Sequence, residues 1–268
     1  MKDEIIVVTG ASKGIGRATA LKLASEGYHL LISDIEDMSS VRSDAKKFGV
    51  RVYRVGGDIS EISAIREIEA AVKRSNLRLK GVVNSAFAMV GKPFLQLTKD
   101  DWQRTFNVSF FAVVMLCRKL IPVMIDAKGG SIVNISSVHS LASGDIDSAA
   151  YDAAKAALNA LTRSLAVEFG PAGIRVNAIL PGLITSERVL DWKSSNPDEF
   201  RASEITHALQ RAGHPAEVAE AVSFLISDRS SFITGSSMLV DGGQMASINE
   251  TAALKLLRLS SVKKYRRA

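Results

Sequence analysis

Short apolar runs alternate with helical periodicities along the chain, and this alternation constrains the fold more than any other feature of the sequence. The runs rich in β-branched residues predict strands at residues 4–8, 29–33, 51–56, 79–86, 130–137, 174–182 and 236–243. The segments between them predict helices at residues 14–26, 39–48, 61–74, 99–126, 149–169 and 215–227. Runs that are apolar on every residue are typical of parallel strands that helices cover on both faces. The sequence therefore predicts an α/β fold, a single-domain Rossmann-type doubly wound parallel sheet of about seven strands flanked by helices.

No linker, repeat or low-complexity tract divides residues 1–249, so we expect one domain there. Residues 186–213 break the alternation with polar residues and short helical turns. They follow a strand end, where such folds bind ligands, so we expect a mobile substrate lid. Residues 250–268 hold six Lys or Arg and one Glu. We expect this basic tail to fray or to pack on a partner subunit, and a membrane-surface role is a weaker alternative.

Charge and cysteine content limit the partners and the compartment. The tail supplies +5 of the formal net charge of +6, so we expect no nucleic-acid partner for the nearly neutral body. Cys117 is the only cysteine, which excludes an intrachain disulfide and indicates a reducing compartment. The N-terminus is acidic where a signal peptide is basic, and no run reaches the roughly 18 apolar residues that span a bilayer. These features predict a cytoplasmic protein without a membrane span.

A glycine-rich turn, "TGASKGIG", joins the first predicted strand to the first predicted helix. Gly10, Gly14 and Gly16 allow close approach of the backbone, and the free N–H groups of the helix N-terminus attract an anion. The expected ligand is a pyrophosphate. The spacing differs from the usual G-x-G-x-x-G pattern, so this segment alone is equally compatible with a simple tight turn.

Two charged residues give opposite indications about the dinucleotide. Asp34 ends the second strand, where a carboxylate accepts from both ribose hydroxyls and repels a 2′-phosphate, which favours NAD. Lys13 lies beside Gly14, where an ammonium can hold a 2′-phosphate, which favours NADP. We expect the repulsion to dominate and predict NAD, with NADP less favoured. Asp58, at the end of the third strand, caps the next helix or also accepts from the adenine amino group.

The segment "YDAAK" begins the predicted helix 149–169 and places Tyr151 and Lys155 on one helix face. A free phenol has a pKa near 10, so acid/base work at neutral pH needs a pKa lower by roughly two to three units, which a nearby ammonium can supply. Ser137 ends the preceding predicted strand, so its hydroxyl can donate to a carbonyl oxygen that Tyr151 protonates. In isolation, a Tyr and a Lys at this spacing are common on solvated helices.

These motifs, with "GDIS", "VVNSA", "RVNAILPG" and "ITGSSMLVDGG", occur in an order that resembles the classical short-chain dehydrogenase/reductase family over residues 3–245. The resemblance implies a dinucleotide-binding catalytic domain over residues 1–249 and a homotetramer with helices 99–126 and 149–169 at its interface. It implies that Ser137 polarises the substrate oxygen, that Tyr151 is the general acid/base, and that Lys155 lowers the pKa of Tyr151 and anchors the cofactor ribose. The implied cofactor-binding residues are Gly10, Ser12, Lys13, Gly14, Ile15, Gly16, Asp34, Asp58, Ile59, Asn84, Ser85, Ala86, Tyr151, Lys155, Pro181, Gly182, Ile184 and Ser186.

Two departures from the family pattern affect cofactor binding. Ser85 and Ala86 follow Asn84 where the family commonly has Ala-Gly, which tightens the turn beside the ribose. Ser186 stands where the family usually has Thr, and Thr185 lies beside it, so either hydroxyl can hold the nicotinamide carboxamide.

A third departure affects the catalytic set. The family has a fourth catalytic residue, an Asn seven residues after the tryptophan that matches Trp102, and it helps to hold a water in a proton relay with the lysine. That position falls on Ser109, while Asn107 lies two residues earlier. Either Ser109 binds the water less fully, or the register is shifted.

The remaining polar candidates lie near the expected substrate. His139 can hydrogen-bond a polar substrate, although an exposed loop histidine without a catalytic role is the favoured interpretation. Asp145 and Asp147 either line the entrance or belong to a solvated loop. His207 and His214 lack companions at ligand spacing, so we expect no metal site.

The motifs together predict an NAD(H)-dependent oxidoreductase that transfers a hydride between the nicotinamide and a small secondary alcohol or ketone. Two alternatives stay open: an NADPH-dependent ketoreductase, and a catalytically silent dinucleotide-binding protein. The substituted Asn and the basic tail are the features that favour the silent protein.

Overall fold

A computed structural model describes residues 2–143 and 147–246, so the tail and Asp145 lie outside the described residues. The described part holds one sheet of seven parallel strands in the order β3-β2-β1-β4-β5-β6-β7. The strands are β1 Glu4–Thr9, β2 His29–Asp34, β3 Val52–Gly56, β4 Arg78–Asn84, β5 Gly130–Ile135, β6 Ile174–Pro181 and β7 Ser237–Val240. The predicted doubly wound α/β fold is confirmed.

Helices connect the strands close to the predicted positions. They are α1 Gly14–Ser25, α2 Ser39–Lys46, α3 Ile62–Arg74, α4 Lys99–Phe106, α5 Ala112–Asp126, α6 Ala149–Phe169, α7 Glu187–Ser195, α8 Pro197–Ile205 and α9 Pro215–Ile226. Where one regular helix 99–126 is expected, a π-helical turn at Asn107–Phe111 joins α4 to α5. In segment 186–213, where short helical turns are expected, the structure contains the regular helices α7 and α8. The strand expected at 130–137 ends at Ile135, so Ser136 and Ser137 belong to the loop that follows it.

The sheet is buried on both faces because its strands are apolar on successive residues. In β1, Ile5 and Val7 pack into one core with residues of α3, α5 and α6. Ile6 and Val8 pack into the other core with residues of α1, α2 and α9. The strand bodies therefore leave little room for polar groups, and polar side chains collect at the strand ends.

The connections place a crevice at one edge of this sheet. The chain passes outward from β1 to β2 and β3, and then returns to the opposite side of β1 with β4. Where the strand order reverses, the loops after β1 and β4 lead away in opposite directions and leave a gap between them at the carboxyl ends. This topological switch point is where open α/β sheets bind ligands.

The segment Lys99–Asp126 is long enough to cross a membrane and contains an 18-residue window with a mean hydropathy of 2.0, which meets the composition of a membrane-spanning helix. In the structure, Leu116, Cys117, Leu120 and Met124 are buried in the core against the sheet. A core helix of a globular protein satisfies the same criterion, and the packing accounts for the apolar composition. Burial also raises the pKa of the Cys117 thiol to about 12.

A chain of buried polar groups lies below the crevice, between β4, β5 and α6. The Asn84 amide donates to Asn134 Oδ1 at 2.7 Å, and the Asn134 amide donates to Thr162 Oγ1 at 2.9 Å. All three side chains are buried. Because each polar atom in this chain depends on its neighbour, the network fixes how the two strands and α6 are positioned beneath the site.

We expect Asn134→Leu to lower the free energy of unfolding by about 2–3 kcal/mol, because it leaves the buried Asn84 amide without its acceptor. Urea denaturation measures the change. Ser25→Ala removes an exposed hydrogen bond to Lys22 and serves as the control, with an expected change within about 0.5 kcal/mol. Equal stability of Asn134→Leu and the wild type would contradict the role of the network.

Candidate active site

A cleft of about 1620 Å³ opens at the carboxyl ends of the strands, at the point where the strand order reverses. The loops after β1, β2, β3, β4, β5 and β6 form its walls, together with the first turn of α6 and helix α7. The residues predicted for cofactor, substrate and catalysis line this cleft, with two exceptions. Asn84 lies behind the wall, bonded to Asn134, and Ser109 lies beneath the loop after β4.

The glycine-rich turn leaves no space for side chains. A Cβ on Gly10, which has a φ of 65°, would lie 2.7 Å from the backbone nitrogen of Ala86. A Cβ on Gly16 would lie 1.9 Å from the carbonyl oxygen of Gly10. The turn also contains a buried hydroxyl, Ser12 Oγ, without a hydrogen-bond partner in the described structure. These features fit a pyrophosphate, which needs a bare backbone and hydrogen-bond donors.

A carboxylate from segment 186–213 occupies the N-terminus of the helix that follows this turn. The backbone N–H of Gly14, at the N-terminus of α1, donates to Glu187 Oε2 at 2.9 Å. Glu187 is the first residue of α7, and the neighbouring Ser186 lies against Gly14. An anionic oxygen therefore fits this helix end. Sequence reasoning missed Glu187, because nothing in the sequence connects two positions 173 residues apart.

The ends of β1 and β2 are tied together by carboxylates. Asp34 Oδ2 accepts from the backbone N–H of Ser12 at 2.9 Å, and Asp34 Oδ1 accepts from that of Glu36 at 3.0 Å. The Lys13 ammonium forms an ion pair with Glu36. The hydrogen bond to Glu36 is the main cause that raises the pKa of Lys13. Sequence reasoning placed Asp34 and Lys13 in the site but missed Glu36.

The part of the cleft lined by Asp58, Ser85 and Ala86 is built from turns. Asp58 Oδ1 accepts from both the backbone N–H and the hydroxyl of Ser60 at 2.8 Å, so its carboxylate shapes the turn before α3. The backbone N–H groups of Ser85 and Ala86 donate to Thr9 Oγ1 at 3.1 and 3.3 Å. This contact holds the turn after β4 against the end of β1, on the wall of the cleft.

Ser137, Tyr151 and Lys155 lie together on the opposite wall. Ser137 follows β5, and its hydroxyl lies close enough to the phenol of Tyr151, in the first turn of α6, to lower the pKa of that phenol. Lys155, one helical turn later, is only 2% exposed. Its ammonium donates to the carbonyl of Ile135 at 2.7 Å and lies 5.6 Å from the centre of the Tyr151 ring. The structure thus brings the three predicted groups to one place.

The electrostatics of these groups differ from the simple expectation. Burial raises the pKa of Tyr151, against the lowering effects of the Ser137 hydrogen bond and the positive charge of Arg188. Burial lowers the pKa of Lys155 to about 7. The protein's own groups therefore favour a neutral phenol, and Lys155 is not among the groups that lower its pKa. Acidification of the phenol requires a further positive charge nearby.

Ser109 lies in the π-helical turn and is buried. Its hydroxyl donates to the carbonyl oxygen of Ala88 and accepts from the backbone N–H of Ala88, both at 3.0 Å. Both contacts hold the loop after β4. Asn107 lies at the start of the same turn and lines the cleft. The contact with Ala88 makes Ser109 a support of the cleft wall in this structure.

Ring contacts surround Tyr151 on the substrate side. The rings of Phe87 and His139 each lie 6.0 Å from the Tyr151 ring, in edge-on contacts. His139 Nδ1 is 2.9 Å from Asp152 Oδ1, which sets the orientation of the imidazole. Asp147 also lines the cleft. These groups form a mixed aromatic and polar rim.

Two histidines hold the loop after β6 against segment 186–213. His207 is buried, and its Nε2 accepts from the backbone N–H of Leu183 at 3.3 Å. Thr185 Oγ1 lies 3.0 Å from the carbonyl of Gly213 and 3.1 Å from His214 Nδ1, whereas Ser186 lines the cleft. Within the described residues, no three His, Cys, Asp or Glu side chains converge as metal ligands do.

The fold and this cleft define a dinucleotide-binding α/β protein, and comparisons identify its family. A family model described as Enoyl-(Acyl carrier protein) reductase matches residues 10–245. A probable short-chain type dehydrogenase/reductase of Bradyrhizobium diazoefficiens is 36% identical, covering 92% of this chain and 89% of that protein. The meso-2,3-butanediol dehydrogenase of Serratia marcescens is 34% identical, covering 91% of this chain and 96% of that protein.

A solved structure gives the same result. L-sorbose reductase from Gluconobacter frateurii, complexed with NADPH and L-sorbose, superposes with a TM-score of 0.86 at 28% identity, covering 92% of this chain and 98% of that one. The chain belongs to the classical short-chain dehydrogenase/reductase family. It is an oxidoreductase that uses a nicotinamide dinucleotide.

The buried ammonium makes stability depend on pH. Burial lowers the pKa of Lys155 to about 7 in the folded protein, from 10.5 in the unfolded chain. Between pH 7 and 10.5 the unfolded chain therefore binds more protons than the folded protein, so stability rises with pH in this range. Below pH 7 both states are protonated and this contribution is constant.

We expect Lys155→Met to remove this rise, which amounts to about 2 kcal/mol between pH 7 and 9. Urea denaturation at several pH values measures it, and Lys46→Met, at an exposed position on α2, serves as the control. The same pH slope in Lys155→Met and the wild type would show that the ammonium is not perturbed by burial.

Proposed function

We propose that this protein is an NAD(H)-dependent oxidoreductase that interconverts a small secondary alcohol and its ketone, with Tyr151 as general acid/base. The observation that carries the proposal is the convergence of Ser137, Tyr151 and Lys155 on one wall of a cleft whose other wall is a glycine turn with no room for a Cβ at Gly10 or Gly16. A polariser, a proton donor and a cation beside a dinucleotide cradle suit carbonyl reduction and alcohol oxidation.

Each of the three groups has a distinct task. The Ser137 hydroxyl donates to the substrate oxygen and orients it toward the phenol. Tyr151 gives its proton to that oxygen in reduction and removes the hydroxyl proton in oxidation. Lys155 holds the ribose hydroxyls of the dinucleotide, and its charge then lies next to the phenol. When bound, the dinucleotide supplies the hydride acceptor or donor and, in its oxidised form, a positive charge beside Tyr151.

The cradle for the dinucleotide is formed by the other predicted residues. Gly10, Gly14 and Ser12 are positioned for the pyrophosphate, and Asp34 for the adenosine ribose. Pro181 and Gly182 line the cleft and would contact the nicotinamide. We assign the carboxamide to Ser186 rather than Thr185, because the Thr185 hydroxyl already donates to the carbonyl of Gly213. The carboxylate of Asp34 supports NAD, because it repels a 2′-phosphate.

The relatives support a hydroxylated or carbonyl-bearing small molecule as substrate. One is named for meso-2,3-butanediol, and the structural neighbour is complexed with L-sorbose. That neighbour is complexed with NADPH, so an NADPH-dependent ketoreductase is the second candidate. His139, held by Asp152 beside Tyr151, is our candidate for contact with a second polar group of the substrate.

We also propose a homotetramer in the cytoplasm. Phe111 of the π-helical turn and Val167 of α6 expose 51% and 81% of their surface, which supports an interface on the helices predicted for it. The buried thiol of Cys117 is consistent with a reducing compartment.

We expect Tyr151→Phe to lower kcat/KM for secondary alcohols by about 10²–10⁴-fold, because the substrate oxygen loses its proton acceptor while the ring stays in place. Absorbance at 340 nm across a screen of secondary alcohols and ketones measures turnover, and NADH fluorescence measures binding. Full activity of the variant would contradict the mechanism. Intact NADH binding with abolished turnover excludes the silent dinucleotide-binding protein.

We expect the wild type to turn over NADH at least about tenfold more efficiently than NADPH, because the Asp34 carboxylate faces the site of the 2′-phosphate. Initial rates with both cofactors measure the ratio, and Asp34→Ser should decrease it. A strong NADPH preference in the wild type would favour the ketoreductase.

A further inference from the structure

One end of the cleft contains a basic residue, Lys13, although NAD has no 2′-phosphate for it to bind. Lys13 lies beside the glycine turn, where an ammonium suits a 2′-phosphate, while Asp34 on the neighbouring strand end suits free ribose hydroxyls. Both side chains line the cleft. The preference of the protein therefore depends on whether the ammonium is available to a ligand.

In the structure, Glu36 determines whether the Lys13 ammonium is available to a ligand. Its carboxylate forms an ion pair with the Lys13 ammonium across a separation of 23 residues. Its backbone N–H donates to Asp34 Oδ1, and Asp34 Oδ2 accepts from the backbone of Ser12. The carboxylates of Asp34 and Glu36 are thus fixed at one corner of the cleft, with Lys13 facing Glu36.

We propose that Glu36 is a specificity-determining residue, which sets the preference for NAD by occupying the Lys13 ammonium and by adding a second negative charge where a 2′-phosphate would bind. The inference rests on the proposed NAD(H)-dependent function and deepens it. It assigns to Glu36, rather than to Asp34 alone, the exclusion of the phosphorylated dinucleotide.

Charge balance supports this assignment. With Glu36 present, the carboxylates of Asp34 and Glu36 act on the Lys13 ammonium together with that of Glu187 at the Gly14 N–H, so the corner carries a net negative charge and repels a phosphate dianion. Without the Glu36 charge, and with the pyrophosphate of the dinucleotide in place of the Glu187 carboxylate, only Asp34 opposes the ammonium, which is free to turn toward the ligand. A phosphate with three acceptor oxygens competes well for a lysine that has no other partner.

Exposure supports a role in selectivity rather than in stability. The side chains of Lys13 and Glu36 are each 52% exposed, and ion pairs in such positions contribute little to the free energy of folding. Close charges at a binding site act chiefly by excluding the wrong ligand. Removal of the Glu36 charge should therefore change ligand choice and leave the fold intact.

The test compares four proteins: the wild type, Glu36→Gln, Lys13→Met and the double variant. Glu67→Gln is the matched control, because Glu67 pairs with Arg74 on α3 at similar exposures of 53% and 62%. Fluorescence titration with NADH and NADPH gives the Kd ratio for each protein. Calorimetric titration with adenosine 2′,5′-bisphosphate probes the 2′-phosphate site without the nicotinamide.

We expect Glu36→Gln to shift the Kd ratio toward NADPH by about three- to tenfold, with a matching gain for the bisphosphate probe. Lys13→Met in the Glu36→Gln background should reduce that gain to the part that comes from the lost repulsion, and Glu67→Gln should leave the ratio unchanged. High salt should reduce the difference, because both charges are exposed.

An unchanged ratio in Glu36→Gln, in a wild type that prefers NADH, would overturn the role of Glu36 and leave the proposed function intact. A gain that persists undiminished in the double variant would overturn the part assigned to Lys13. A wild type that binds NADPH more tightly than NADH would contradict the proposed cofactor itself, whatever the variants show.

Discussion

Burial of the sheet on both faces is the constraint on which the rest of this structure depends. Successive residues of β1 point into opposite cores, so the strand bodies cannot carry reactive groups without partners. The polar residues that the protein needs for chemistry are therefore placed just beyond the strand ends. Because the strands are parallel, these ends meet at one edge, and the reversal of strand order between β1 and β4 opens a cleft there.

The same burial sets the electrostatics of the catalytic wall. Tyr151 and Lys155 both lie in surroundings that disfavour charge, so the phenol is held neutral and the ammonium loses its proton readily. In our proposal, this makes the phenol dependent on the charge of a bound oxidised nicotinamide. Acid/base chemistry at Tyr151 would then be coupled to the presence of the cofactor, which limits proton exchange in its absence.

Much of this arrangement could be predicted from sequence, because it rests on local patterns. Apolar runs predicted the seven strands, and fixed spacings in "TGASKGIG" and "YDAAK" placed Gly14 and Lys155 in the cleft. Contacts between distant segments could not be predicted. The pair of Lys13 with Glu36 and the contact of Gly14 with Glu187 depend on how loops meet in three dimensions. The π-helical turn escaped detection because its residues keep an ordinary helical pattern, and the actual partner of Ser109 is a backbone group that no side-chain motif encodes.

The central claim is that the serine, the phenol and the ammonium act around a nicotinamide held against the glycine turn. A crystal structure with bound NAD tests it most directly. The account predicts the nicotinamide beside Ser137 and Tyr151, the adjacent ribose on Lys155, and the pyrophosphate at the Gly14 N–H in place of the Glu187 carboxylate. A dinucleotide bound with its nicotinamide away from Tyr151, or with Glu187 still bonded to Gly14, would contradict it.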